Sequence, residues 1–191
     1  MKNTQNTIVK TTAADLDSIL GLLNGAKGEG LSAEERAKSG FVQGRMDAEI
    51  VTAFQGDLGV YAVKEKDNLL AVAFASRVGI TEKGPIVLAA QQVLQKTDTL
   101  KATDIFQYGP VVVDPKNKGK GLLTDLLLHL CDLFYKDFKK GLAFVEEANT
   151  LSMTIHTHYF GEPFDTFMFQ DRKYYTFLFD PKALLEKYKA I

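Results

Sequence analysis

Apolar residues first recur at a helical spacing in Leu16, Ile19, Leu20 and Leu23, after a short apolar pair, Ile8 and Val9, that suits a strand. Thr12 stands three residues before Asp15, a capping-box pair at the start of that helix, and Gly25, Gly28 and Gly30 end it. Ser32 with Glu35 repeats the signal and opens a polar helix toward Phe41, and a third helical piece is predicted from Met46 to Phe54. The pattern then turns extended. Val60 to Val63 and Leu69 to Ala75 favour strands, and Lys66, Asp67 and Asn68 between them predict a hairpin. Pro85 in the first turn marks Ile86 to Gln95 as a helix, and Phe106 to Val113 as a strand broken or bulged at Gly109 and Pro110 follows it. The longest periodic run comes next. Leu123, Leu126, Leu127, Leu130, Phe134 and Phe138 line one face of a helix, with Asp125, His129, Asp132 and Lys136 on the solvated stripe opposite. Leu142 to Val145 is a further strand, Asn149 to Tyr159 a helix, and the aromatic segments Phe164 to Phe169 and Tyr174 to Phe179 are paired strands. Strands grouped around helices, with no repeat and no linker, predict an α+β (mixed α/β) fold. Its central mixed sheet is flanked by helices, in a single domain over residues 1–191.

Composition narrows the functional classes. The 191 residues are 46% hydrophobic and 25% charged, as in ordinary globular proteins. Twenty-three Lys and Arg balance 24 Asp and Glu to a net charge of -1, so nothing recruits the chain as a whole to nucleic acid or to an anionic membrane, and any anion site is local. A single cysteine, Cys131, within an apolar run, forms no internal disulfide and reads as a buried small hydrophobe in a cytoplasmic protein. The polar stretch Met1 to Thr7 lacks the apolar run of a signal peptide or membrane span.

One segment carries specific chemistry. Asp114-Pro115-Lys116-Asn117-Lys118-Gly119-Lys120-Gly121 joins a strand to the long amphipathic helix. Unpaired N–H groups and the positive end of a helix dipole there can hold a phosphate or pyrophosphate, and three lysines add charge; the alternative is a basic surface turn. A Walker loop is disfavoured for want of a Gly-Lys-Ser/Thr string at the required spacing. The dinucleotide fingerprint, started at Gly119 and Gly121, fails at Thr124.

Val111-Val112-Val113-Asp114-Pro115 followed by Lys118-Gly119-Lys120-Gly121-Leu122 resembles the acyl-CoA-binding segment of the GNAT superfamily of N-acetyltransferases, in which a hydrophobic strand ends in Val-x-Pro before Arg/Gln-x-x-Gly-x-Gly/Ala. The resemblance extends to the opening strand and helix, the hairpin, the strand ending at Val145, and Asn149, where the family often has an asparagine before its last helix. Counted from Pro115, Lys118 takes the Arg/Gln place, Gly121 the first glycine place and Leu123 the last, where the family has a small residue. A register begun at Lys116 puts Gly119 and Gly121 in both small places but breaks the spacing from Pro115.

The resemblance implies transfer of an acetyl or longer acyl group directly from acetyl-CoA, the cosubstrate, to a primary amine of a small molecule or protein, with a homodimer as an option. It also implies that main-chain groups of Val111 and Val113 hold the pantetheine arm. N–H groups of Lys118, Gly119, Lys120, Gly121, Leu122 and Leu123 would hold the pyrophosphate, with Asn149 counted among the cofactor-binding residues. An amine with a pKa near about 10.4 must lose a proton before attack, and the departing thiolate gains from an acid. Asn149, Ser152, His156 and Tyr159 share one helix face. Tyr159 and His156 are the candidate acids, His156 standing where many members of the superfamily carry a tyrosine. Asp104, Tyr108, Glu146 and Glu147 are candidate bases between which the sequence does not choose. His156 and His158, two apart on a helix, point away from one another and make no metal site. The rival to an enzyme is a non-catalytic acyl-CoA-binding or regulatory module of the same fold.

Overall fold

The computed structural model describes residues 7–26, 32, 41–42 and 46–189. Its elements, in chain order, are β1 (Thr7–Lys10), α1 (Leu16–Gly25), α2 (Ala48–Gly56), β2 (Gly59–Glu65), β3 (Asn68–Arg77), α3 (Pro85–Lys96) and β4 (Ile105–Val113). There follow α4 (Leu122–Phe134), β5 (Lys140–Glu146), α5 (Thr150–Phe160), β6 (Asp165–Phe169), β7 (Arg172–Phe179) and α6 (Pro181–Lys189). The helix expected between Ser32 and Phe41 lies outside the described residues. The capping box is present, with Thr12 N–H donating to Asp15 Oδ2 at 2.9 Å, but the chain makes a 3-10 turn over Ala13–Asp15 before α1 begins. The third helical piece starts at Ala48 rather than Met46, because Asp47 caps it by accepting from Ile50 N–H.

Seven strands form one mixed sheet in the order β1-β2-β3-β4-β5-β7-β6. All neighbours are antiparallel except β4 and β5, whose parallel pairing spans only Ile105–Gln107 against Lys140–Leu142. The hairpin between β2 and β3 turns through Lys66, which takes a left-handed φ of 55°. At the β6–β7 turn both Gln170 and Asp171 have positive φ, as a two-residue turn needs to match strand twist.

Residue alternation along the strands assigns the faces. On the near face α4 buries Leu122, Leu126, Leu127, Leu130, Cys131 and Phe134 against Ala71, Ala73 and Ala75 of β3, Phe106 of β4, and Phe177 and Phe179 of β7. On the far face α1 and α2 cover Val60, Ala62, Val72, Phe74 and Val112, while α3 covers Ile105 and Leu142 through Ala89, Ala90 and Val93. Two expectations are corrected. Leu122, at 2% exposure, leads the buried stripe of α4, and Leu123 is only half-buried, because the sheet lies on the Leu122 side of the helix. His129 is half-buried against the edge of Tyr61, 5.5 Å between ring centroids, and burial lowers its pKa, so it is not a solvated stripe residue.

Helix α6 was not expected. Asp180 caps it, accepting from Ala183 N–H at 3.0 Å, and Leu184 and Leu185 enter the near-face core. Pro181 at its first position and the spacing of Leu184, Leu185 and Tyr188 are the sequence signals that identify it.

Candidate functional site

Beyond Gln107 and Leu142, β4 and β5 no longer pair, and the sheet opens into a wedge. β4 keeps its other neighbour: Val111, Val112 and Val113 lie opposite Ala73, Val72 and Ala71 of β3. Asp114 N–H continues that ladder by donating to Leu70 O at 2.8 Å. Antiparallel pairing alternates in steps of two, so the main-chain groups of Asp114 and Val112 turn toward β3. Those of Val111 and Val113 turn toward the open wedge. The bulge predicted at Gly109 and Pro110 is present as a register shift against β3, and their peptide bond is cis.

The strand runs into the glycine loop. Asp114 accepts from Lys116 N–H at 3.0 Å and stabilises a 3-10 turn over Pro115–Asn117. Lys120 Nζ donates to Asn117 Oδ1 at 2.7 Å. Gly119 and Gly121 have φ of 78° and 79°, the left-handed region that disfavours other residues, and a Cβ on either would meet nothing within 4 Å. The first intrahelical bond of α4 is Asp125 N–H to Gly121 O, which leaves the N–H groups of Leu122, Leu123 and Thr124 without helical partners. Gly121 offers no side-chain cap for them. An open strand edge and a run of free helix-start donors thus form one continuous polar track with a positive dipole behind it.

Helix α5 approaches the wedge from the near face. Asn149 is 3% exposed; its Oδ1 accepts from Ser152 N–H and its Nδ2 donates to Phe41 O at 2.9 Å, so the amide ties α5 to the chain near Phe41. His156 lies among Tyr108, Phe160 and Phe177, with centroid distances of 6.5, 5.4 and 5.4 Å. Its Nδ1 sits 2.8 Å from Ser152 O, so that nitrogen carries the proton, and burial lowers the ring's pKa to about 4. Burial thus favours the neutral ring of His156, and its Nδ1–H is engaged by the Ser152 carbonyl. Tyr159 reaches the start of α4, with Oη 2.5 Å from Thr124 Oγ1, and its ring packs on Tyr188 of α6 at 5.5 Å. His158 meets the edge of Tyr159 at 4.9 Å between centroids, and its Nε2 lies 3.5 Å from Tyr188 Oη.

The four candidate bases separate by position. Asp104 sits before β4 at the closed end of the wedge, held by Lys139 at 3.2 Å, with its pKa lowered by hydrogen bonds from Lys101 N–H and Lys139. Tyr108 is buried, which drives its hydroxyl pKa well up and keeps it protonated. Glu147 is exposed and fastened by Lys173 at 3.0 Å and Tyr175 at 2.9 Å, bonds that lower its pKa. Glu146 ends β5 at 5% exposure, with Arg172 3.4 Å away. Cys131 is fully buried, and burial raises its thiol pKa to about 12, so it is no nucleophile. Thr124 is the contact that sequence reasoning missed; its signal was a hydroxyl residue in the first turn of a helix begun by glycine.

No protein-family model and no curated protein matches the chain. Solved structures do. An N-acetyltransferase from Staphylococcus aureus Mu50 superposes with a TM-score of 0.60 at 16% identity, covering 93% of this chain and 99% of that one. The ribosomal-protein-S18-alanine N-acetyltransferase of Escherichia coli gives 0.59 at 16% identity, with 92% and 94% covered. A Salmonella typhimurium structure that contains acetyl-CoA as its cofactor gives 0.60 at 16% identity, with 93% and 95% covered. The chain has the GNAT fold that the glycine loop implied, a seven-stranded mixed sheet flanked by helices. No helix among the described residues is long and apolar enough to cross a membrane.

Proposed function

We propose that the chain is an N-acyltransferase that moves an acetyl or other acyl group from acetyl-CoA to a primary amine. The observation that carries this reading is the polar track from the open edge of β4 into the start of α4. Amide groups of a pantetheine arm would pair with Val111 and Val113 as an added strand, and N–H groups from Lys118 to Leu123 would hold the pyrophosphate. The half-buried Leu123 side chain leaves its own N–H available, so a large residue in the family's small place does not by itself close the track.

In the reaction the amine nitrogen attacks the thioester carbonyl, the new N–C bond forms, and the C–S bond breaks. The attacking nitrogen gives up a proton to a base, the leaving sulfur takes one from Tyr159, and Tyr159 regains its proton from solvent. Thr124 bears on that role: either hydroxyl can donate, and when Thr124 donates to Tyr159 Oη the tyrosine proton is free to point at sulfur. His156 serves instead as a neutral packing group that fixes α5 against Tyr108 and Phe177. Glu146 is the base best supported by position, since Asp104 lies at the wrong end, Tyr108 stays protonated and Glu147 is tied up. A cytoplasmic location and a homodimer are compatible with this reading.

The test begins with acetyl-CoA binding. A ligand at one hundred times its dissociation constant adds about 2.7 kcal/mol to stability, a clear rise in Tm. Tyr159→Phe should then slow coenzyme A release at least about tenfold with the acetyl-CoA shift preserved. Saturable binding with no release for any amine would favour the second reading, a non-catalytic acyl-CoA module, in which Tyr159 donates its proton to Thr124 Oγ1 instead.

A further inference from the structure

Glu146 is a carboxylate at 5% exposure whose side-chain partner among the described residues is Arg172, 3.4 Å away and itself 55% exposed. Taking a carboxylate out of water is expensive, and one long contact to a mostly solvated guanidinium offsets little of that. A carboxylate has about four lone-pair sites, and Arg172 is the one side-chain donor that meets this one among the described residues. Its surroundings are aromatic. Tyr174 lies directly opposite Glu146 in the β5–β7 register and Phe167 directly opposite Tyr174 on β6. Around Tyr174, Phe167 stacks at 5.2 Å, Phe144 lies at 6.0 Å and Phe169 at 6.4 Å. A carboxylate beside aromatic rings is the chemistry that holds an organic cation.

The strand positions matter as much. Glu146 shares the far face with Leu142 and Phe144, whereas Tyr159 and His156 approach on the near face. β5 also bounds the wedge across from the open edge of β4. An amine held by Glu146, once deprotonated, would therefore reach the wedge from the side opposite the group that protonates the leaving sulfur.

We propose that Glu146 and this aromatic row form the acceptor subsite, that it takes a primary alkylamine in its ammonium form, and that Arg172 occupies the ammonium's place until the acceptor displaces it. The ammonium's N–H donors take the acceptor positions that Arg172 vacates on the carboxylate, its alkyl chain lies along the rings, and Glu146 accepts one of its protons before the freed nitrogen attacks. The proposal rests on the acyltransferase reading, and its test keeps the two apart. Acetyl-CoA binding is followed by thermal shift for wild type, Glu146→Gln, Glu146→Asp and Arg172→Ala. Coenzyme A release is then measured with putrescine and with p-toluidine, an arylamine uncharged at neutral pH.

Expected are an unchanged acetyl-CoA shift in all variants, a preference for putrescine in wild type, and a Glu146→Gln loss in kcat/KM at least about tenfold larger for putrescine than for p-toluidine. Glu146→Asp should keep the preference for the cation, and Arg172→Ala should lower the KM for putrescine, both of which stand even if Glu146→Gln fails to fold. Preference for p-toluidine, no turnover of putrescine while acetyl-CoA binds, equal losses for both acceptors, or a raised KM in Arg172→Ala would overturn the proposal. An absent acetyl-CoA shift in wild type would instead bring down the acyltransferase reading, and the acceptor subsite with it.

Discussion

The two halves of the sheet are covered on the near face by different helices, α4 over β2 to β4 and α5 over β5 and β7. In β1 to β4 every pairing is antiparallel, and the face under α4 is lined by Ala71, Ala73 and Ala75, so the helix lies close to the strands. In β5, β7 and β6 the corresponding positions carry Phe177 and Phe179, and Phe160 of α5 stacks on Phe179 with centroids 4.1 Å apart. Three residues of β4 against three of β5 join the halves. That ladder is the shortest in the sheet, and the wedge opens just beyond it. Main-chain donors for an extended ligand are available because neither half supplies a strand to fill the gap.

The largest test of that seam is Phe106→Ala. Phe106 has no exposure and meets Phe134, Phe138 and Phe179 from both halves at 5.3 to 5.8 Å. Its truncation should lower stability by about 3–5 kcal/mol in urea unfolding. One shared transition would mean that the halves fold as a unit, and two would mean that the seam divides them.

Acid should then tell the halves apart. His156 titrates near 4 when folded but near its ordinary 6.5 when unfolded, so between those values the unfolded state binds the extra proton. Stability should fall by roughly 1 kcal/mol per pH unit from about pH 6.5 down to about 4 and level off below. Asp15, whose pKa is lowered by its hydrogen bond from Lys64, behaves differently. Its contribution is complete above the unfolded carboxylate pKa of about 3.9 and disappears only as the pH drops through and below it. Stability curves for wild type and His156→Gln should therefore differ in slope between pH 6.5 and 4 and run parallel elsewhere; a shared slope would show that the ring is not held neutral.

Gly141→Ala comes next in size. A Cβ there would sit 2.1 Å from Phe179 Cζ, and Phe179 cannot retreat without disturbing Phe160. A loss of about 1–3 kcal/mol is expected, accompanied by weaker acetyl-CoA binding through the displaced α5. The smallest effect belongs to Gly121→Ala. Open space surrounds that position, so only its left-handed φ is at issue, at about 1–2 kcal/mol, and the Tm should drop slightly while the acetyl-CoA shift shrinks. A larger fall in Tm for Gly121→Ala than for Gly141→Ala would reverse the ranking of seam over loop.

Much of this was legible beforehand because it depends on local chemistry. The heptad-like stripe of α4, the turn at Lys66, the break at Gly109 and Pro110, and the glycine loop are each written in a few adjacent residues. The errors arose where burial depends on distant partners. Leu122 rather than Leu123 faces inward because the sheet, with Ala71, Ala73 and Ala75 in the same core, lies on its side of α4, and His129 loses its water to Tyr61, which is far away in sequence. The candidate acids were found by spacing, yet spacing could not rank them. His156 is set apart from Tyr159 by Phe160, Phe177 and the Ser152 carbonyl, which surround the imidazole and strip it of charge. The same limit applied to the four candidate bases, whose differences lie in which end of the wedge each occupies and which cation holds it.

By itself the sequence determined the periodicities, the caps and the donor-rich loop, since helix pitch, strand alternation and glycine's freedom act within a few residues. Only the tertiary structure decided where β4 and β5 part, which face Glu146 shares with the aromatic row, and which ring is kept neutral. Those properties come from desolvation and from neighbours brought together by folding, and no stretch of the chain carries them alone.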